Sequence, residues 1–329
     1  NRMLESAKAG LDYYGKSYSP YQFQQFRVLE FPRYRTFAQS FPNTVPYSEA
    51  IGFIERMKKP DDIDLLYFVT AHELAHQWWG HQLLGSDTQG SNMMSETLAE
   101  YSALKVLEKK YGMDIVRKQL RHELDGYLRG RAAEARHEPP ITLVQREPYV
   151  WYNKGSLVMY ALADYIGEDQ LNLGLHNFLM KNRYATGPYP DTRGFVAALR
   201  EVTPPDLQPV ITDMFESIVL FDDKAVSATY APTADHKYKV TLVVSTMKRK
   251  ADGSGAESPM AINDLIDVGV FSGTKEHLKP LYLAKKRFTQ DSSTVEVVVD
   301  DVPTFAGIDP YNKLIDRNPE DNLIAAEKK

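Results

Sequence analysis

Residues 72–76 read His-Glu-Leu-Ala-His, and two further acids, Glu96 and Glu100, follow within Ser95-Glu-Thr-Leu-Ala-Glu-Tyr101. On a helix, side chains four positions apart lie one turn apart on one face, so His72 and His76 can offer two imidazoles to a single cation. Glu73, beside the first of them, is placed to take a proton from water at that cation. Zinc suits such a site because it has no redox chemistry, keeps a coordination position open and lowers the pKa of its water towards ~7. A catalytic zinc usually takes three protein ligands. The chain contains no cysteine, so the third must be His, Glu or Asp.

Glu96 is the strongest candidate for that third ligand. It falls on the next helix, after a connection just long enough to turn the chain back antiparallel. Glu100 lies one turn further on the same face, where a carboxylate can accept the remaining N–H of a liganding histidine and fix its tautomer. His-Glu-x-x-His also occurs in ordinary charged helices. The surroundings argue otherwise here: Leu65, Leu66, Phe68, Leu74, Trp78 and Trp79 mark a core helix. Two histidines and a glutamate on such a helix are costly unless something ionic engages them. His81, five positions beyond His76, turns away from the ligand face and reads as a helix-end residue. His122-Glu123 and His137-Glu138 lack a second histidine at the right spacing and carry no metal signal. Arg129 and Arg131 read as a solvated or helix-capping set.

The elements that must position these groups are readable from period and punctuation. Residues 1–14 look helical with Gly15 as the stop, and 23–31 alternates as a half-buried edge strand does. Pro60-Asp-Asp-Ile-Asp starts a helix, with acids in its first turn, that runs to about Leu84; Ser91 caps a second one running through Lys110 and closed by Gly112. Helical patterns continue at 113–129, 154–166, 168–181, 191–202 and 206–219. After Asp223 the texture changes to short β-type runs at 240–245, 266–271, 281–283 and 295–299, separated by turn-rich pieces. An antiparallel sandwich is the expected outcome. The reading is therefore an α+β chain: a mainly helical catalytic domain with a small edge sheet over 1–222, a β-sandwich domain over 223–317, and a polar tail, 318–329, expected to fray.

Composition narrows the function classes. Of 329 residues, 43% are hydrophobic and 25% charged, ordinary for a globular chain with a sizeable core. Thirty-nine basic against 44 acidic residues give a net charge of −5, and no basic stripe supports nucleic-acid binding. No run of 18 apolar residues is present. The chain opens Asn-Arg-Met with no signal-peptide core, and reads as an excised piece of something larger or a mature fragment.

The residues also carry a resemblance. "HELAHQWWG" followed by "SETLAEY" resembles the aminopeptidase N-type gluzincins, whose pattern is HELAHQWFG…NEGFAEY. The resemblance implies one zinc ion on His72, His76 and Glu96, with Glu73 as general base. It departs in one respect: the family glutamate stands nineteen positions after the second histidine, whereas here 96 − 76 = 20. An extra residue in the loop between the helices is expected to absorb the difference, and Ser95, at the strict spacing, is a poor zinc ligand. Tyr152-Asn-Lys-Gly155 is similar to the family's Tyr-Glu-Lys-Gly, which implies that Tyr152 donates a hydrogen bond to the oxyanion. Pro46-Tyr-Ser-Glu-Ala-Ile-Gly-Phe-Ile54 occupies the place of the family's Gly-Ala-Met-Glu-Asn-Trp-Gly-Leu-Ile, which implies that Glu49 binds the free α-amine of a peptide substrate. Over roughly 20–220 the chain resembles a thermolysin-like catalytic domain. "MSETLAEYSAL", "YLRGR" and "DPYNKLIDR" look like a bacterial subgroup in which this domain is fused to ABC-type permease segments, implying a membrane-tethered protein with this module outside the cytoplasm. Two rivals to aminopeptidase activity remain: an endopeptidase or other zinc hydrolase on the same site, and a non-catalytic metal-binding sensor or interaction module.

Overall fold

The computed structural model describes residues 1–59 and 61–329, and the chain divides into two units, Asn1–Ser217 and Ile218–Lys329. The first unit is mainly helical. Helix α1 spans Arg2–Ser17 and runs straight through Gly15, because Tyr13, Tyr14 and Tyr18 pack inward and outweigh the weak helix preference of one glycine. Strands β1 (Arg27–Phe31) and β2 (Thr44–Ser48) pair in parallel. Between them the chain folds back on β2: Gln39 N–H donates to Pro46 O and Ser48 N–H to Phe37 O, and a turn at 42–43 closes the hairpin.

Helix α2, Leu65–Ala75, is shorter than the sequence suggests. Pro60, read as its start, lies outside the described residues. The cap is Asp64, whose side chain accepts Tyr67 N–H at 3.0 Å and is held by Arg2 at 2.6 Å and by the Tyr111 hydroxyl at 2.7 Å. The helix ends at its second histidine rather than near Leu84. Trp78 and Trp79, both fully buried, bend the chain into turns closed by Gly80 at φ +136°. Trp78 donates to Ser19 O and Trp79 to Ser102 Oγ, so the indole N–H groups anchor this corner.

The next helix begins irregularly. Met93–Thr97 form a π turn, with i→i+5 hydrogen bonding, that passes directly into α3, Leu98–Tyr111. Helix α4 follows as Met113–Ala133, then a second π turn, Tyr149–Lys154, leading into α5, Gly155–Ile166. Helices α6 (Glu168–Asn182) and α7 (Thr192–Val202) complete the core. The helix expected over 206–219 breaks into short pieces and gives way to strand at Ile218.

The second unit is built of two sheets. In one, β3 (Ile218–Pro232) pairs antiparallel with β4 (Tyr238–Ala251), which also pairs with β5 (Glu257–Met260) and with β8 (Ser292–Val299). In the other, β6 (Asp264–Gly273) lies between β7 (Leu278–Phe288) and β9 (Phe305–Ile308). The polar tail is ordered: Leu323–Ala325 (β10) adds to β9 and Glu327–Lys328 (β11) to β3. Its anchor is Asn322, 1% exposed, whose carbonyl accepts Ile308 N–H. The backbone of a polar segment, once paired at a sheet edge, holds it whatever its side chains. Among the described residues, no helix is long and apolar enough to cross a membrane.

Candidate metal centre

Three side chains from two elements converge at one end of α2. His72 is on its last turn and His76 caps it, while Glu96 projects from the π turn ahead of α3. The Nε2 atoms of His72 and His76 are 3.0 Å apart, and each lies 3.3 Å from Glu96 Oε2. Donors at 2.0–2.1 Å around a tetrahedral zinc stand about 3.3 Å from one another, so these spacings fit the edges of such a polyhedron. Among the described residues this is the one cluster of three or more such side chains close enough to share a cation.

The hydrogen bonds say which atoms carry lone pairs. His76 Nδ1 lies 3.0 Å from the Trp79 carbonyl, which only accepts, so its proton sits on Nδ1 and Nε2 is free to ligate. His72 Nδ1 is 3.1 Å from Glu100 Oε1, an ion-pair contact too bent to be a well-formed hydrogen bond, and it favours the same tautomer. Two imidazole lone pairs and a carboxylate therefore face one another in a buried corner. That arrangement is repulsive until positive charge enters it.

The titration preferences show the same demand for positive charge, met by a proton on His72 when no cation is bound. Burial alone would lower the His72 imidazole, but Glu100 and Glu96 override it and raise it well above its ordinary value. Burial alone would raise the Glu96 carboxyl, and the two imidazoles instead hold it far below the usual carboxylate range. Glu73, 7% exposed, is pushed upward chiefly by its own burial, which is the direction a proton acceptor near neutrality needs.

Glu96 stands on the π turn that opens the second helix, twenty positions after His76, and still reaches the imidazole pair. Ser95 borders the site on the side of the other ring nitrogen, its Oγ at 3.3 Å from both His76 Nδ1 and Trp79 O.

A cavity of about 350 Å³ opens over the three donors, lined also by Glu73, Tyr152, His81 and the hairpin segment 37–40. Tyr152 projects from the second π turn; its ring centroid is 6.1 Å from that of His72, and burial with Glu96 as neighbour raises its phenol well above the ordinary value. A protonated phenol beside the donors can give a hydrogen bond to negative charge on a carbonyl oxygen. His81 faces this cavity, contrary to the helix-end reading. The helix has already ended at His76, so helical geometry no longer sets its direction; burial lowers its pKa and leaves a neutral ring. Arg131, read as solvated or capping, is half-buried and pairs at 2.9 Å with buried Glu138.

Glu49 is not brought to the cavity. It stands in the turn closing β2, its N–H bonded to Phe31 O, while the strand that faces the donors is the hairpin arm 37–41. Residues 37, 39 and 41 bond to β2, so Ala38 and Ser40 direct their backbone groups outward, towards the cavity. Neither this edge nor His81 has a motif by which the sequence alone would reveal it.

The model of the peptidase family M1 domain matches residues 2–215. Among curated proteins, a probable aminopeptidase 1 of Sulfurisphaera tokodaii is 25% identical over 55% of this chain and 24% of its own length. A leucyl aminopeptidase of Saccharolobus solfataricus is 23% identical over 64% of this chain and 27% of its own length. The chain thus spans about a quarter of the length of these relatives. The crystal structure of Legionella pneumophila aminopeptidase A in complex with aspartic acid shares the fold, with a TM-score of 0.56 at 15% identity over 100% of this chain and 35% of that one.

Proposed function

The chain belongs to peptidase family M1, and from that membership we propose that it is a zinc-dependent aminopeptidase module, removing N-terminal residues from peptides. The observation that carries the reading is the triangle of His72, His76 and Glu96, with 3.0–3.3 Å edges and lone pairs turned inward. A zinc ion held there would supply a Lewis acid and an acidified water. Glu73 accepts the proton of the attacking water and delivers it to the departing amine. Tyr152 donates its hydroxyl hydrogen to the carbonyl oxygen as charge builds there. Glu100 keeps the His72 ring oriented. The thermolysin-like arrangement of the first unit, the sandwich arrangement of the second, a permease portion in the full-length polypeptide and a location outside the cytoplasm belong to the same proposal, supported by the sequence resemblance.

One observation favours a second reading, cleavage within a chain or of N-blocked peptides. Among the described residues lining the cavity, Glu73 and Glu96 are the only carboxylates, and both already have roles. A desolvated α-ammonium needs a carboxylate of its own. Turnover of paired free and N-acetylated aminoacyl amides by zinc-loaded protein decides between them. A strong preference for the free amine supports aminopeptidase action, with Glu49→Gln reading whether Glu49 or another group holds the amine, whereas equal turnover of the two moves the assignment to the second reading. A protein that binds one zinc and hydrolyses neither is the metal-binding sensor.

A further inference from the structure

We propose that Asn153 and Glu123 are positioning residues, which aim the Tyr152 hydroxyl through a carboxyl–amide bond behind the cavity. The proposal rests on the zinc-hydrolase reading above, and neither residue lines the cavity.

Tyr152 sits on a six-residue π turn that runs directly into α5. Side-chain bonds add to those of the helix in fixing its direction, and two of them come from neighbouring elements. Thr97 Oγ1 donates to Trp151 O at 2.6 Å, tying this turn to the one that carries Glu96. Asn153 Nδ2 donates to Glu123 Oε2 at 2.6 Å, and Ser156 Oγ donates to Asn153 O at 2.9 Å. Helix α4 is carved to receive the turn: a Cβ on Gly126 would stand 2.6 Å from Asn153 Nδ2, and one on Gly130 would stand 2.4 Å from Tyr149 Cβ.

Glu123 is the unusual member. It is 5% exposed and, among the described residues, meets no cation at bonding distance; its two oxygens are occupied by two amides, Asn153 and, at 2.5 Å, Gln119. Burial and the neighbouring Glu100 carboxyl raise its pKa well above the usual range, so it is held as a neutral acid. Even a neutral acid costs more to bury than an apolar side chain of the same size, and packing alone would not call for it. What its two oxygens add is direction. They fix the amide of Asn153, and with it the backbone of the adjacent tyrosine, along one line. An oxyanion donor is effective only when held to within about 0.5 Å of its target, so the cost is placed where catalysis is most sensitive.

The test is a set of zinc-loaded variants assayed on the amide panel and, independently of turnover, for acetohydroxamate binding by calorimetry. Asn153→Ala should lower kcat about tenfold or more, with KM within about threefold and zinc content unchanged. In a Tyr152→Phe background the same substitution should add less than about twofold, since the group it aims is already gone. Asn153→Asp alone places two acids together and should be impaired. Combining it with Glu123→Gln rebuilds the bond with reversed polarity and should recover most of kcat. An equal loss with and without the Tyr152 hydroxyl would overturn the proposal, as would an Asn153→Ala enzyme with native kcat. A well-folded reversed pair that recovers nothing would also overturn it. If the parent protein hydrolyses no amide, the functional reading fails, and non-additive losses of hydroxamate affinity in the same variants still report the clamp. Additive losses, or a parent that binds no hydroxamate, would remove it.

Discussion

At the scale of single residues, the centre divides into groups that hold charge and groups that move protons, and substitutions should separate the two. Glu73→Gln keeps the shape of the side chain and removes its basicity. It should lower kcat by roughly 10²–10⁴ while one zinc per chain remains, read by elemental analysis beside turnover. Tyr152→Phe should cost about 10²–10³ in kcat, with KM little changed. His72, His76 and Glu96 were legible in the sequence because their spacing is local: four positions on one helix, then an acid on the next. Glu123 and Asn153 were not, since nothing in the string brings residues 30 positions apart into a 2.6 Å bond. His81 was misplaced for a related reason. Its direction depends on where α2 stops, which buried Trp78 and Trp79 decide rather than any local stop signal.

At the scale of elements, the two π turns carry the metal-facing acid and the phenol, and they touch each other through Thr97 and Trp151. Helical period is visible in a sequence, but a single wide turn is not, because it leaves the faces before and after it unchanged. Deleting Ser95 should collapse the wide turn to regular helix with Glu96 still beside the imidazoles. Inserting Ala after Thr97 should rotate Glu96 by about 100° relative to α3 and abolish tight binding. Zinc affinity by chelator competition distinguishes them: the deletion should stay within about tenfold of the parent, and the insertion should fall by about 100-fold or more. In the second unit, a Cβ on Gly307 would lie 2.0 Å from Asn322 O, so β10 closes against β9 only if that position is bare. Gly307→Ala should destabilise this unit by about 2–3 kcal/mol in denaturant unfolding and release the tail to proteolysis. Parts of β4, β6, β7 and β8 were visible as short β-type runs, whereas β5, β9, β10 and β11 were not. β3 was hidden because the residues leading into it have helical spacing until Ser217.

At the scale of the whole chain, the division between a helical and a β-rich part was readable from the change of texture, with the observed junction at Ser217–Ile218 a few positions before the expected one. The ordering of the tail was not readable, because polar side chains predict fraying unless a sheet edge is waiting. The β-rich unit should respond to pH in a definite sense. Burial raises Asp309 to about 7 and Asp316 to about 6, against 3.8 when exposed. Each binds a proton more tightly folded than unfolded. The stability they contribute is therefore present below about pH 4 and is lost as pH rises through 6 and 7. Hydrogen exchange in β6 and β9, corrected for intrinsic rate, should show less protection at pH 8 than at pH 5.5, and Asp309→Asn should flatten that slope.

The hairpin arm at Ala38 and Ser40 has one further consequence. Main-chain amides and carbonyls are common to every peptide, so a ligand lying along this rim would be gripped in the same way whatever its residues. Discrimination then falls to Phe37, which borders the same cavity and is 44% exposed with Phe31 at a ring-centroid distance of 5.1 Å. A peptide held along this rim would then be selected at Phe37 by bulk and apolarity.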